Sequence, residues 1–217
     1  MARIAVFDLD RTLIAGSSAQ VFGQMLRDVG VDMPAPPGQS AYFSLYERFG
    51  EDPIMMRVAR HASKLFSGHP AAKVETAGRL ATDVLASTVL DGATAAFERH
   101  RGDGTKLLLA TTAPHELASP FADALSFDGV LCTKYRTVDG VYDGTNDGRY
   151  LWGDEKADAV AEWAGANEVD LTESFAYSDS WYDVPLLELV GNPVAVNPDV
   201  RLNVLAKARG WTRLRWE

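Results

Sequence analysis

Cysteine is almost missing from this chain: Cys132 is the only one in 217 residues. No intrachain disulfide can form, which fits a reducing compartment. Long apolar runs are missing too. No stretch approaches the ~18 uninterrupted apolar residues of a membrane span. The N-terminal "MARIAVFDLD" carries one Arg and an apolar run too short for a signal peptide. These absences lead us to expect a soluble, cytoplasmic protein. Positive charge is in deficit, with 21 Lys and Arg against 30 Asp and Glu, a net −9. That balance argues against a nucleic-acid binder, which needs a basic face for the phosphates. It leaves room for a small phosphorylated ligand, because a local cation reverses the sign of the field. The four histidines, His61, His69, His100 and His115, show no metal-ligand spacing.

What is present is a globular composition, 47% hydrophobic, without repeats or low-complexity tracts. "RIAVFDLDRTLI" opens with an apolar run lacking alternation, the mark of a strand buried on both faces. "TKLLLATTAP" and "ESFAYSDSWYD" read the same way, and each ends in polar groups. Helical patterns lie between them, at "GATAAFERHRGDG", "PHELASPFADAL", "GDEKADAVAEWAGAN", "VPLLELVG" and "VRLNVLAKARG". Asp139-Gly140 signals a hairpin, and "WTRLRW" an edge strand. Strands alternating with helices predict an α/β fold with a doubly wound parallel sheet. A helical block interrupts the alternation, with "SSAQVFGQMLRDVG", "AYFSLYERFG", "PIMMRVARHASKLFSG" and "AAKVETAGRLATDVLASTV" as its helices. We expect residues 15–88 to form an inserted helical cap, and residues 1–14 and 89–217 the catalytic core.

Ligands of such sheets bind at the carboxyl ends of the strands. Three of those ends carry reactive side chains: Asp8 and Asp10, Thr111 and Thr112, and Asp179 and Asp183. Asp8 and Asp10, two residues apart, can face one pocket. Paired carboxylates serve as a general acid/base pair or as a divalent-metal site. A single Asp there would read as a turn cap; four at two core-strand exits make that reading the weaker one. Lys156, early in a helix, is placed to offset the acids and bind phosphate. Thr111 offers a hydroxyl to a phosphate oxygen.

The ordered set resembles the haloacid dehalogenase superfamily of phosphatases. "FDLDRTLI" is similar to its DxDxT signature, "LLLATT" to its second motif, "GDEKADAV" to its third and "YSDSWYDVPLLELVGNPVAVNPD" to its fourth. The helical block and the "RGW" tail resemble the phosphoserine-phosphatase-like branch. The resemblance implies a Rossmann-like sheet and a Mg²⁺-dependent phosphomonoesterase working through an aspartyl-phosphate. It implies Asp8 as nucleophile and Asp10 as general acid and base. Mg²⁺ would be held by Asp8, Asp179 and the carbonyl of Asp10. Thr111, Thr112, Lys156 and Arg11 would serve phosphate binding, with Thr12 fixing the loop and Asp183 orienting Lys156 or a metal-bound water. The Arg11 side chain is otherwise expected to point to solvent.

Two departures concern the substrate. The phosphoserine phosphatases carry a glutamate shortly after the first motif, where this chain has "AGSSAQ". Their fourth motif usually reads GDGxND; here it is "SDSWYD", with Ser178 for Gly and Tyr182 for Asn. The cap is rich in Phe22, Tyr42, Phe43, Tyr46, Phe49, Met55 and Met56, mostly core, and Arg57 and Arg60 are read as surface charges. Similar domains occur fused to lipid acyltransferases. The expected partner is therefore a small phosphorylated metabolite: phosphoserine-like, histidinol phosphate or a lysophospholipid phosphate. A phosphotransferase or mutase would use the same residues, and an idle binding module would not need them. The sequence does not fix the oligomeric state.

Overall fold

The computed structural model describes residues 2–32 and 53–217. The helix expected at "AYFSLYERFG", with Tyr42, Phe43, Tyr46 and Phe49, lies outside the described residues, as does the side chain of Met55.

Six parallel strands form the central sheet: β1 (Ile4–Phe7), β2 (Lys106–Pro114), β3 (Gly129–Thr133), β6 (Phe175–Ser178), β7 (Asn192–Val196) and β8 (Thr212–Leu214). Their order is β3-β2-β1-β6-β7-β8. The chain winds outward from β1 in one direction, returns to its other side at β6 and continues to the far edge. β1 is thus the strand at which the order reverses, where open α/β sheets bind ligands. All four of its residues are fully buried, because helices cover both faces. Ala5 and Phe7 join one core cluster and Ile4 and Val6 the other, which explains the run without alternation. The register pairs Phe7 with Leu109 on one side and Tyr177 on the other. Asp8, the Thr111 region and Asp179 therefore emerge at one carboxyl edge.

The helices follow the sequence reading closely: α1 (Ser18–Asp28), α4 (Ala71–Ala86), α5 (Asp91–Gly102), α6 (His115–Ala124), α7 (Asp154–Ala166), α8 (Val184–Leu189) and α9 (Val200–Arg209). α4 packs on α1 and α6. At Gly78 it lies so close that a Cβ would stand 1.7 Å from the Glu116 carbonyl oxygen, so only glycine permits this helix crossing. "PIMMRVARHASKLFSG" differs from the expected single helix. It divides into α2 (Pro53–Ala59) and α3 (Ser63–Phe66). At the break the backbone bonds shorten to three-residue turns, His61 to Val58 and Ala62 to Ala59, and the Arg60 carbonyl accepts the Asn146 amide at 3.4 Å.

The predicted hairpin is present as β4 (Tyr135–Val138) and β5 (Val141–Asn146). Asp139 and Gly140 both take positive φ, 51° and 76°, as the favoured two-residue turn requires. The sequence reading places this hairpin in the 89–217 segment, yet its backbone bonds to the helical block. Gly68 N–H donates to Tyr142 O, Tyr142 N–H to His69 O and Ala71 N–H to Gly140 O, at 2.9, 3.1 and 2.8 Å. Among the described residues no helix is long and apolar enough to cross a membrane.

Below β1 a polar knot sits inside the core. His100 is 1% exposed. Its Nε2 lies 2.7 Å from the Tyr177 hydroxyl, which accepts from Arg99 at 2.8 Å. With Arg99 donating to that oxygen, the tyrosine proton is directed to an unprotonated Nε2. Burial, with Arg99 beside it, pushes the imidazole down to about 4. The unfolded chain therefore binds a proton between pH 6.5 and 4 that the folded chain does not. Stability from this group is full above pH 6.5 and is lost as pH falls towards 4. We expect urea unfolding at pH 7 and pH 4.5 to show His100→Phe losing about 2 kcal/mol less than wild type between the two. Equal losses would rule out the buried neutral imidazole as the source.

Candidate active site

Each strand end contributes its polar groups for a local reason. β1 stops at Asp8, whose N–H still donates to Tyr177 O at 3.0 Å, so its carboxylate stands at the sheet edge. The chain then turns through Arg11, a non-glycine residue at φ +59°. Thr12 follows, fully buried. Its hydroxyl oxygen accepts Asp179 N–H at 3.1 Å and stands 3.5 Å from Asp179 Oδ1, clamping the loop after β1 to the loop after β6. Gly153, at φ +62°, turns the chain into α7 and brings Lys156 inward in its first turn.

Lys156 is the centre of the arrangement. Only 2% exposed, its Nζ donates to Asp8 Oδ1 at 2.9 Å and contacts Asp183 at 2.8 and 2.9 Å. A buried ammonium between two carboxylates is stable only when such hydrogen bonds replace its water. Ser178 holds the same Asp183 oxygen, donating to Oδ2 at 2.7 Å, and also accepts Ser180 N–H at 3.1 Å. Burial raises the Asp8 carboxyl to about 7 against the pull of Lys156, with Asp183 and Asp10 adding to the rise. Burial likewise raises Asp10, offset by its bonds to Ser18.

The structure thus brings Asp8, Lys156 and Asp183 into direct contact, and Thr12 onto Asp179. Asp10 takes a further part: its Oδ1 accepts Ser18 N–H at 2.6 Å. The carboxylate satisfies the start of α1, where the Ser17 side chain makes no cap bond. Thr111 is 2% exposed, and its hydroxyl oxygen accepts Ala113 N–H at 3.1 Å. One further placement adds a bond the sequence did not suggest, and one differs from expectation. The Thr112 hydroxyl donates to Leu151 O at 2.8 Å, which ties it to the segment entering α7. Arg11 does not point to solvent. Its side chain is 11% exposed, and Nε lies 2.9 Å from Asp179 Oδ2.

Some neighbours were not singled out by sequence reasoning as parts of the site. Ser178 was noted only as a departure from glycine. Asp199 accepts Trp181 N–H at 2.8 Å, caps α9 through Leu202 N–H at 2.8 Å and donates its own N–H to Asp179 O at 2.8 Å. The "NPD" following β7 was its only signal. Arg60 meets Glu155, next to Lys156, at 3.4 Å and lies over the Tyr150 ring.

Among the described residues no three His, Cys, Asp or Glu side chains converge as a metal cage. The donor set still suits a hard cation. Asp8, Asp10, Asp179 and Asp183 carry four carboxylates against the two cations Lys156 and Arg11. Mg²⁺ is commonly held by one or two carboxylates, with water and substrate oxygens completing the octahedron. Asp8 and Asp179, with the Asp10 carbonyl, fit that pattern.

Comparison with known proteins shows the family to which the chain belongs. The haloacid dehalogenase-like hydrolase family profile matches residues 5–188. Phosphoserine phosphatase SerB1 of Mycobacterium tuberculosis is 37% identical over 216 residues, covering 95% of this chain and 68% of that protein. A histidinol-phosphatase of Neisseria meningitidis is 27% identical, with both chains covered in full. A crystal structure of a Bordetella pertussis protein with unknown function superposes with a TM-score of 0.81 at 27% identity, over 99% of this chain and 98% of that one. The chain belongs to the haloacid dehalogenase-like hydrolases, in their phosphoserine-phosphatase-like branch, and is an enzyme, a phosphatase.

Proposed function

We propose that this phosphatase hydrolyses a small organic phosphate monoester through an aspartyl-phosphate on Asp8. The observation that carries the reading is the buried contact of Lys156 Nζ with Asp8 and Asp183 at 2.8–2.9 Å. It holds the Asp8 carboxylate at the sheet edge, where a phosphoryl group can meet it end-on.

An Asp8 oxygen attacks phosphorus, the P–O bond to the leaving alcohol breaks, and Asp10 gives that alcohol its proton. Asp10 then takes a proton from water, which attacks the aspartyl-phosphate and releases inorganic phosphate and free Asp8. Lys156 and the Thr111 hydroxyl bind phosphoryl oxygens as their charge redistributes. Asp183 and Ser178 orient Lys156, and Thr12 holds Asp179 in register with the loop after β1. Asp8, Asp179 and the Asp10 carbonyl would hold Mg²⁺, which when bound neutralises the carboxylates and polarises the phosphoryl group.

The names of the relatives point to amino-alcohol phosphates, phosphoserine and histidinol phosphate. Residues 15–88, together with the hairpin bonded to them, would select among such esters. A cytoplasmic setting fits the lone, buried Cys132. The test is phosphate release by the wild type from p-nitrophenyl phosphate, phosphoserine, histidinol phosphate and lysophosphatidate, with Mg²⁺ and with chelator. We expect turnover of at least one ester and its loss on chelation. Turnover indifferent to chelator would remove the metal assignment. Phosphate appearing on an added alcohol would mark a transferase, and no turnover of any ester would remove the hydrolase reading.

A further inference from the structure

We propose that Arg11 is a positioning residue that occupies the Asp179 carboxylate in the metal-free enzyme and competes with the divalent cation for it. The proposal rests on the reading of Asp179 as a metal ligand. Arg11 Nε lies 2.9 Å from Asp179 Oδ2, with the two side chains 11% and 6% exposed. A charge-assisted bond with so little water around it is a strong one.

The surroundings show which partner has to move. Asp179 is fixed from several sides: its N–H by Thr12 at 3.1 Å, its carbonyl by Asp199 N–H at 2.8 Å, and Oδ1 beside the Thr12 hydroxyl at 3.5 Å. Arg11 sits at the apex of a turn with φ +59° and an N–H bond to Gly16 O at 3.3 Å. Left-handed backbone is uncommon for a long side chain. Its effect here is to aim the guanidinium across the loop at Asp179. Arg11 also lines an open cleft of about 540 Å³ with Asn197, Asp199, Arg215 and Trp216. That cleft gives the guanidinium room to swing aside. A divalent cation on Asp179 and a guanidinium on the same carboxylate repel, so entry of the one costs the contact of the other. Arg11 thereby offsets the Asp179 charge before the metal arrives, and lowers the affinity for the metal by the same interaction.

Magnesium titrated into the metal-free protein by calorimetry, without substrate, tests this directly. We expect Arg11→Asn, which tolerates left-handed backbone, to bind Mg²⁺ at least about tenfold more tightly than wild type, within the usual range of such couplings. Arg11→Lys, which keeps the charge but loses the planar fork, should fall between the two. Thermal unfolding should agree, with Mg²⁺ raising the midpoint of Arg11→Asn more than that of wild type. Unchanged or weaker Mg²⁺ binding by Arg11→Asn would overturn the proposal. If that variant does not fold, Arg11→Lys decides, and affinity no tighter than wild type would overturn it. Asp179→Asn separates the underlying reading. If it leaves Mg²⁺ affinity unchanged, Asp179 is not a metal ligand. If it abolishes binding while the Arg11 variants bind no tighter, only the role of Arg11 fails.

Discussion

Asp8→Asn should lower phosphate release by at least about 10³-fold, the scale on which removal of a nucleophile acts, while leaving the fold intact. An amide nitrogen or oxygen at that position does not form the acyl-phosphate that water then opens. Preservation of the fold follows from the local energetics. Burial already raises the Asp8 carboxyl to about 7, so an uncharged group there escapes most of the penalty that burial places on the anion. Lys156 loses one charged neighbour but keeps Asp183 at 2.8 Å. We therefore expect a thermal midpoint within a few degrees of wild type, read by calorimetry beside the phosphate assay. A quench experiment with labelled ester adds a readout of mechanism. Label should stay on wild-type protein in a form released by hydroxylamine, and be missing from the variant. A variant that folds and still turns over at a tenth of the wild-type rate would remove Asp8 as the nucleophile and the covalent route with it.

How much of this was legible in the sequence depends on the range of the interactions involved. β1 could be read because burial on both faces leaves a local trace, four apolar residues in a row, all of them fully buried in the fold. The hairpin turn could be read because Asp139-Gly140 suits two positive φ values, and both occur. The convergence of the strand ends followed from the same logic: polar groups after buried strands must emerge together when the strands are parallel and in register. What failed was decided by distant groups. The break at residues 60–62 coincides with an Asn146 side chain bonding to the Arg60 carbonyl, a partner that helical periodicity does not contain. The bond of the Thr112 hydroxyl to the Leu151 carbonyl, 39 residues along the chain, is likewise absent from any local pattern. Arg11 was read as solvent-facing, because a one-letter pattern says nothing about the left-handed φ that turns its side chain onto Asp179. Asp10 was read as an acid at a strand exit or a cap of the turn there; that its carboxylate accepts the Ser18 N–H at the start of α1 was not foreseen.

Lys156→Met is the substitution expected to cost the most stability, and its dependence on pH identifies the reason. Methionine matches the length of the buried stem, so packing around the 2%-exposed side chain is largely kept. The ammonium that lies 2.8–2.9 Å from both Asp8 and Asp183 is lost. Two buried carboxylates then face each other without a cation, and removing one partner of such a cluster costs about 3–5 kcal/mol. Asp8 escapes by taking up a proton, which the folded wild type does less readily because Lys156 pulls Asp8 back towards its charged form. The folded variant therefore binds more protons than folded wild type, and its deficit shrinks as pH falls. Denaturant unfolding should show the gap from wild type widest near pH 8 and clearly narrower near pH 5.5. Activity should fall at every pH, since the phosphate-binding charge is gone whatever the carboxyls do. A deficit independent of pH would mean that the loss comes from imperfect repacking around methionine and not from the missing charge. A fully active variant would mean that the charge between Asp8 and Asp183 serves the fold and not the chemistry.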